Sequence, residues 1–580
     1  MRRRILAPLL TIACAAAATG IARAATITVT TTSDVVAVDG AVSFREAYNS
    51  INAGASANAD VVPAGAYGVS DTIAFNITGG CAVPCKITAS TFYAVMSKPI
   101  VIDGYTQPGS SANTLAVGDN AVIKIEIDGN SLGFSLFFFQ GAGTTVRGLN
   151  IHGVTGGAAI VFLASAGGSV VQGCFIGTNP AGTAAAAPTG VAVSVSGVNA
   201  VIGGPLPANR NVISGTSLGI DIANQSSGIV IQGNYIGTNA AGTGAIPNNV
   251  GISGTSTGGS TVGAVLIGGP SAGQGNVISG NAGDGIFIEV LGGTTIGLVT
   301  IQGNFIGTDA AGTLALGNGG GGINFVNFAA TPTVAGALVG GPAAGNANVI
   351  AFNAIDGVLV NGFTNVGIEG NSIHDNGFQG IALAGGGTPL LNDACDADTG
   401  SNNLQNYPVL TAASIAGSNV TISGTLNSTA STAFRIEFFS NTACDASGFG
   451  EGRTFLGFTV VATDASCNAT FGPLVFAVPA GQTVFTSTAT GSPINTSQFS
   501  ACFVAGGILP SPTPTPTRTV TPIVTGTPIP PTVTPTGPPA PTGTPFPGAP
   551  PTAVPTLSEG ALALFGIGLA ALALLLIRRR

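Results

Sequence analysis

The chain has 580 residues, of which only 7% are charged and 89 are glycine. That length exceeds a single core and calls for several domains or a repeat array, a hydrophobic share of 45% excludes a disordered polyampholyte, and glycine without a strict three-residue period excludes collagen. Seven of the 16 basic residues (Arg2, Arg3, Arg4, Arg23, Arg578, Arg579, Arg580) lie in the terminal segments with the acidic Glu559, so the body carries 9 basic against 23 acidic residues, too few scattered cations to neutralise a run of phosphates, which argues against nucleic acid.

The N-terminus reads Arg2-Arg3-Arg4, an apolar run from Ile5, then Ala22-Arg23-Ala24. A basic start, a short apolar stretch and small residues at alternate positions predict a secretory signal peptide over 1–24, cut before Ala25 and carrying Cys14 away. Next, Ser43-Phe44-Arg45-Glu46 forms a capping box, and Phe44, Ala47, Tyr48 and Ile51 fall on one helical face. A short amphipathic helix covering the first turn of a stacked β structure is expected here, because an open stack end exposes unpaired backbone.

A repeat follows. "VQGCFIGT" from Val171, "IQGNYIGT" from Ile231 and "IQGNFIGT" from Ile301 are each followed by an "IGGP"- or "VGGP"-type run and by "NVIS" or "NVIA". A fourth unit, "IEGNSIHDN" from Ile368, stops early, and the spacings from Gly173 to Gly233, Gly303 and Gly370 are 60, 70 and 67 residues. Period-two pairs such as Ile220/Ile222, Ile286/Ile288 and Val358/Val360, punctuated by glycine, select strand over helix. Three strand pairs per unit imply coils of about 20–25 residues stacked as a parallel β-helix. Asn234, Asn304 and Asn371 recur at one turn position, where their amides would stack into a ladder. Cys174 holds that place in the first unit and reads as a buried small residue. At this point a resemblance is specific: "VSFREA" at Val42–Ala47 looks like the CSLREA motif of bacterial surface proteins with right-handed parallel β-helix repeats, and "VIDGYTQPG" from Val101 and "IQGNFIGTDAAGT" from Ile301 look typical of that family. Val42 and Phe44 replace its Cys and Leu. The likeness covers roughly residues 26–390 and implies a fold and an exported location, with little enzymology.

Parallel β-helices include polysaccharide lyases and hydrolases, but fold alone licenses no function. The carboxylates Asp221, Asp284, Glu289, Asp309, Asp356, Glu369 and Asp375 are spread along the repeat, and no Lys follows Lys124. Asp284 and Asp356, each just before a strand, read either as a catalytic or calcium pair or as turn-forming residues, with the turn favoured. His374-Asp375 is an adjacent pair with acid–base character. Trp is 0 and Tyr is 6, which leaves few stacking platforms for sugars. No catalytic residue is therefore assigned, and an enzyme is not the leading expectation.

After Leu391 the repeat ends in a junction loop, 393–406. Its Asp393, Asp396 and Asp398 suit a hard cation such as calcium, or form a solvated turn. Alternating strands with turn signals over 407–506 predict an immunoglobulin-like β-sandwich. Export permits disulfides: Cys81 with Cys85, Cys444 with Cys502, and Cys395 with Cys467 are the expected pairs. Residues 507–553 are nearly pure Pro, Thr and small residues, an extended stalk of roughly 140 Å. Last, Val554-Pro555-Thr556-Leu557-Ser558-Glu559 precedes an apolar run from Ala561 to Ile577 and three arginines. This tail resembles the IPTL-CTERM sorting signals of bacteria, related to the PEP-CTERM class, with "VPTLSEG" for the usual "IPTLSEWG". The resemblance implies cleavage by a membrane-embedded sorting protease; a permanent C-terminal membrane-spanning helix is the alternative.

The fold expected is thus all-β: a cap over 25–66, a right-handed parallel β-helix over 67–392, the junction loop, the sandwich, the stalk, and the tail over 554–580 ending in a hydrophobic helix. The function expected is that of an exported, non-enzymatic cell-envelope rod displayed on a stalk for structural or adhesive contacts. A polysaccharide-active β-helix enzyme and a non-catalytic carbohydrate-binding module are the alternatives. The partners implied are the export machinery, the sorting protease, and an extracellular polysaccharide or protein.

Overall fold

The computed structural model describes residues 24–506, apart from 69, 80–83, 257–260, 292–294, 329–332, 335 and 385–387. Cys14, Cys81, the stalk, the sorting motif Val554–Glu559 and the apolar tail all lie outside the described residues, as does nearly all of the signal segment. No helix among the described residues is long and apolar enough to cross a membrane.

Thr26–Val29 is the first strand of a parallel sheet, pairing with Asp71–Phe75. Behind it, helix α1 (Phe44–Ala53) closes the end of the stack as its capping box requires. Ser43 Oγ accepts from Glu46 N at 3.1 Å and Glu46 Oε2 accepts from Ser43 N at 2.8 Å. Phe44, Ala47, Tyr48 and Ile51 are all buried. The Phe44 ring packs on Phe75, Tyr93 and Phe137 with centroids 5.0–5.9 Å apart, so this aromatic plug joins the helix to the first coils.

Three parallel sheets of 11, 10 and 9 strands run the length of the stack, the arrangement typical of a right-handed β-helix. Strands of the first sheet begin at Val170, Val201, Ile229, Val265, Val299, Ala337 and Val366, so a coil takes 28–38 residues. This corrects the expectation of about 20–25. Each 60–70-residue unit holds two coils of three strands, and the "IQGN" and "IGGP" runs are successive rungs of one sheet. The sequence mislabelled them because alternate coils use different turn residues over the same backbone path. The second glycine-rich run explains itself sterically. Gly203 and Gly268 have φ of 85° and 84°, and a Cβ at either would stand 2.0 Å from the carbonyl oxygen of the next coil, Gln232 or Gln302.

Isoleucine and valine columns fill the interior, and asparagine ladders stitch the corners. In the first ladder Asn211, Asn234, Asn276, Asn304, Asn348 and Asn371 follow one another, each Nδ2 donating to the next Oδ1 at 2.9–3.0 Å. The three asparagines expected are there, interleaved with those of the "NVIS" runs because coils alternate. Cys174 begins the column: its N–H donates to Asn211 Oδ1 at 2.9 Å, and its thiol is free, buried and pushed up to about 12 by burial. A second ladder runs through Asn248, Asn281, Asn318, Asn353 and Asn376.

Beyond the last coil lie two antiparallel sheets. One orders Val409–Ala416, Asn419–Asn427 and Asn468–Ala477; the other orders Thr454–Ala462, Ala433–Asn441 and Val484–Gly491, followed by Asn495–Thr496. Val420, Ile422, Phe434, Ile436, Phe438 and Phe485 from both sheets form one apolar cluster, which makes the pair a β-sandwich. Disulfides join Cys395 to Cys467 and Cys444 to Cys502. Cys85 is also disulfide-bonded.

Candidate functional site

Most carboxylates of the coils are consumed by the fold. Asp284 Oδ1 accepts from Gly321 N at 2.8 Å, Asp356 Oδ1 from Gln379 N at 3.0 Å, and Asp221 Oδ2 from Ser194 Oγ at 2.8 Å. Asp309 closes its own hairpin by accepting from Thr313 N and Leu314 N. Asp284 and Asp356 thus each tie one coil to the next, which is the turn reading, and burial pushes both carboxyls up. Glu289 sits in register between Thr255 and Val326, and Glu369 lies 3.8 Å from Arg435.

The last coil is different, because the sandwich must satisfy its open edge. Ile373 N donates to Gly452 O at 2.9 Å and Gly452 N to Ile373 O at 2.8 Å, an antiparallel bridge that extends the second sheet. Ile368 N donates to Thr496 Oγ1, Asn365 N to Asn495 Oδ1, and Gly370 N to the fully buried Glu437 Oε2 at 2.8 Å. At the end of the second ladder the acceptor is again a sandwich carboxylate: Asn376 Nδ2 donates to Glu451 Oε1 at 2.9 Å.

The bridge at Gly452 brings Glu451 and Arg453 beside His374 and Asp375. A cleft of about 170 Å³ opens there, lined by His374, Asp375, Asp445, Glu451 and Arg453 with the polar Asn441 and Thr442. His374 Nδ1 lies 2.9 Å from Asp375 Oδ2, and Arg453 Nη2 pairs with the same oxygen. Burial works against the Asp375 charge, but the hydrogen bonds from His374 and Arg453 outweigh it and hold the carboxyl below its usual range. Glu451 goes the other way: burial lifts it to about 8 against the lowering pull of Asn376, with Asp445 and Asp375 adding to the rise. Burial also lowers His374. The adjacent His374-Asp375 pair is legible in the sequence, whereas Glu451 lies 75 residues beyond Asn376 and carries no motif.

The Asp393, Asp396 and Asp398 carboxylates converge, one oxygen of each lying within 4.8 Å of the others. Asp396 is engaged by Ser428 Oγ at 2.6 Å and Asn406 N at 2.9 Å, while Asp398 Oδ1 is shielded and has no hydrogen-bond partner. Burial first, then the charges of Asp398 and Asp393, push Asp396 up. Asp396 and Asp398 border a second, polar concavity of about 550 Å³ with Gln405, Thr432 and Asn495.

No protein-family model matches the chain, and no curated protein does. Among solved structures it is similar to the enzymatically active domain of tailspike protein 2 of bacteriophage CBA120, at 12% identity and a TM-score of 0.20 over 76% of this chain and 72% of that one. It is also similar to tailspike protein gp49 from Acinetobacter baumannii bacteriophage Fri1, a capsular polysaccharide depolymerase, at 9% identity and a TM-score of 0.20 over 75% and 79%. Likeness at these scores carries no argument about this chain's fold or function. The CSLREA-type and IPTL-CTERM resemblances rest on their quoted residues alone.

A second ionic cluster escaped sequence reading altogether. Parallel register aligns Lys86 with Glu126, and Thr88 with Asp128 and then His152, on the outer face of the second sheet. His152 Nε2 lies 2.9 Å from Glu126 Oε1, and Lys86 Nζ lies 2.5 Å from Asp128 Oδ2. The "IEID" alternation was the available signal, since period two puts Glu126 and Asp128 on one side. The carboxylates are each matched by a cation or imidazole and are largely buried, so this cluster pins the first coils together rather than opening a site.

Proposed function

We propose that this chain is an exported cell-envelope protein whose β-helical shaft presents one glycan-engaging surface, the cleft between its last coil and the sandwich. The observation that carries the reading is the division of labour among the acids. Asp284, Asp309 and Asp356 are occupied in turns and Asp221 by the neighbouring strand's Ser194, whereas His374, Asp375, Asp445, Glu451 and Arg453 border one concavity. A polyhydroxyl chain needs such a mixed set of charged and amide groups to replace its hydration. The export signals of both ends support the surface location, and cell fractionation with and without residues 554–580 checks it. The strand order of the sandwich, with the first, second and fifth strands in one sheet and the fourth, third and sixth in the other, supports an immunoglobulin-like topology.

The test is binding of the purified full chain to polygalacturonate, alginate and dextran by titration calorimetry. Saturable binding to one polymer is expected, with Arg453→Ala weakening it about 10-fold, the cost of one charge-assisted hydrogen bond. An unchanged affinity in that variant moves the site elsewhere. A second reading, a shaft with purely structural contacts, is favoured by the two ladders, which make the coils a stiff rod; it is selected if none of the polymers binds.

The acidic junction loop is proposed to take calcium. Binding to the folded loop alone stabilises it by roughly 1.4 kcal/mol at ten times the dissociation constant. Calcium is therefore expected to raise the melting temperature of the wild type but not of Asp398→Asn, and equal shifts would remove the site from consideration.

A further inference from the structure

We propose that the junction cleft is catalytic, hydrolysing glycosidic bonds with Glu451 as the proton donor and Asp375 as the carboxylate that activates water. This deepens the glycan-engaging reading and depends on it. The two acids come from different parts of the fold, Asp375 from the turn after Ser372–His374, the last coil strand of the second sheet, and Glu451 from the sandwich, and they line the same cleft.

Three features separate this from a structural pairing. First, the ladder ending at Glu451 uses asparagine in every coil before it, and an amide oxygen accepts the same hydrogen bonds without burying an ionisable group. The switch to a carboxyl occurs at the one rung that borders the cleft. Second, Asp375 occupies the left-handed turn position, φ 56°, that Gly280 and Phe352 hold in earlier coils, and so places a carboxylate at the cleft where those coils have none. Third, the environments drive the two acids apart: Arg453 and His374 keep Asp375 ionised, while burial keeps Glu451 protonated at neutral pH. The groups facing Glu451 are Asp375 and His374 from the coil and Asp445 and Arg453 from the sandwich.

In the step, Glu451 passes its proton to the glycosidic oxygen as the bond from that oxygen to the anomeric carbon breaks. A water adds to the anomeric carbon and gives up a proton to Asp375. One water is consumed, one new reducing end appears, and solvent exchange restores both carboxyls. His374 and Arg453 are positioning residues, fixing Asp375 through its Oδ2 and leaving Oδ1 for the water.

The experiment incubates the full chain with the same three polymers and counts new reducing ends, with absorbance of unsaturated uronates followed in parallel. Reducing ends without unsaturation are expected, falling off as pH rises through about 8, where Glu451 loses its proton. Glu451→Gln and Asp375→Asn should each lower kcat at least about 100-fold, well beyond the change in affinity that calorimetry reads on the same variants. Glu451→Gln should at the same time gain stability at alkaline pH, a combination that a folding defect cannot produce. A wild type that binds a polymer without cutting it, cuts it by elimination, or retains turnover in both variants overturns the catalytic assignment and leaves the binding reading standing. A chain that binds none of the polymers overturns both.

Discussion

Asn304→Leu is expected to destabilise the coil stack by roughly 2–6 kcal/mol, although leucine keeps the same branching and number of side-chain heavy atoms. Asn304 Oδ1 accepts from both the backbone N–H and the Nδ2 of Asn276, at 3.0 and 2.9 Å, and its own Nδ2 donates to Asn348 Oδ1 at 3.0 Å. Asn276 and Asn304 are 0% and 1% exposed, so no water replaces the lost acceptor, and two stranded donors cost about 1–3 kcal/mol each. Because each coil touches only its neighbours, the damage should spread from this rung rather than lower the whole chain evenly. Hydrogen exchange at Asn276 and its neighbours, read beside urea unfolding, locates it. A change within about 0.5 kcal/mol would mean that the ladder is ornamental and that apolar columns alone hold the stack.

Glu451→Gln carries the second large effect, on pH dependence. The folded carboxyl titrates near 8 and the unfolded one near 4.5. Between these values the unfolded chain has released a proton that the folded chain retains, so the stability contributed by neutral Glu451 is complete below about 4.5 and is lost as pH climbs through 8. The full difference is on the order of 5 kcal/mol, and it falls on the interface between the last coil and the sandwich. Buried Glu437, whose carboxyl is also raised, adds a contribution of the same sign from the neighbouring contact with Gly370. Glutamine keeps the acceptor for Asn376 and removes the titration. The wild type should therefore show falling thermal stability from pH 5 to 9, with the variant flatter and more stable at the alkaline end. Parallel slopes in the two proteins would show that Glu451 is not the titrating group.

The all-β stack, its capping helix and one asparagine ladder were legible because each is written in short-range pattern. Phe44, Ala47, Tyr48 and Ile51 are spaced for one helical face, Ile286 and Ile288 for one strand face, and a glycine follows where the backbone turns left-handed. Coil length was not legible. The "IQGN" and "IGGP" runs differ in sequence but follow the same path, and a repeat search reports the period of residues rather than that of the backbone.

The chain's composition settled what it could not be, and its periodicities settled that it would stack. Which side chains meet was decided only by the tertiary structure. His152 reaches Glu126 through parallel register across 26 residues, and Glu451 reaches Asn376 across 75 because the sandwich closes the open edge of the last coil. Such meetings depend on the summed lengths of every intervening loop. No local pattern of hydrophobicity encodes that sum, whereas the requirement to pair exposed backbone at a stack's end enforces the contact once the coil has formed.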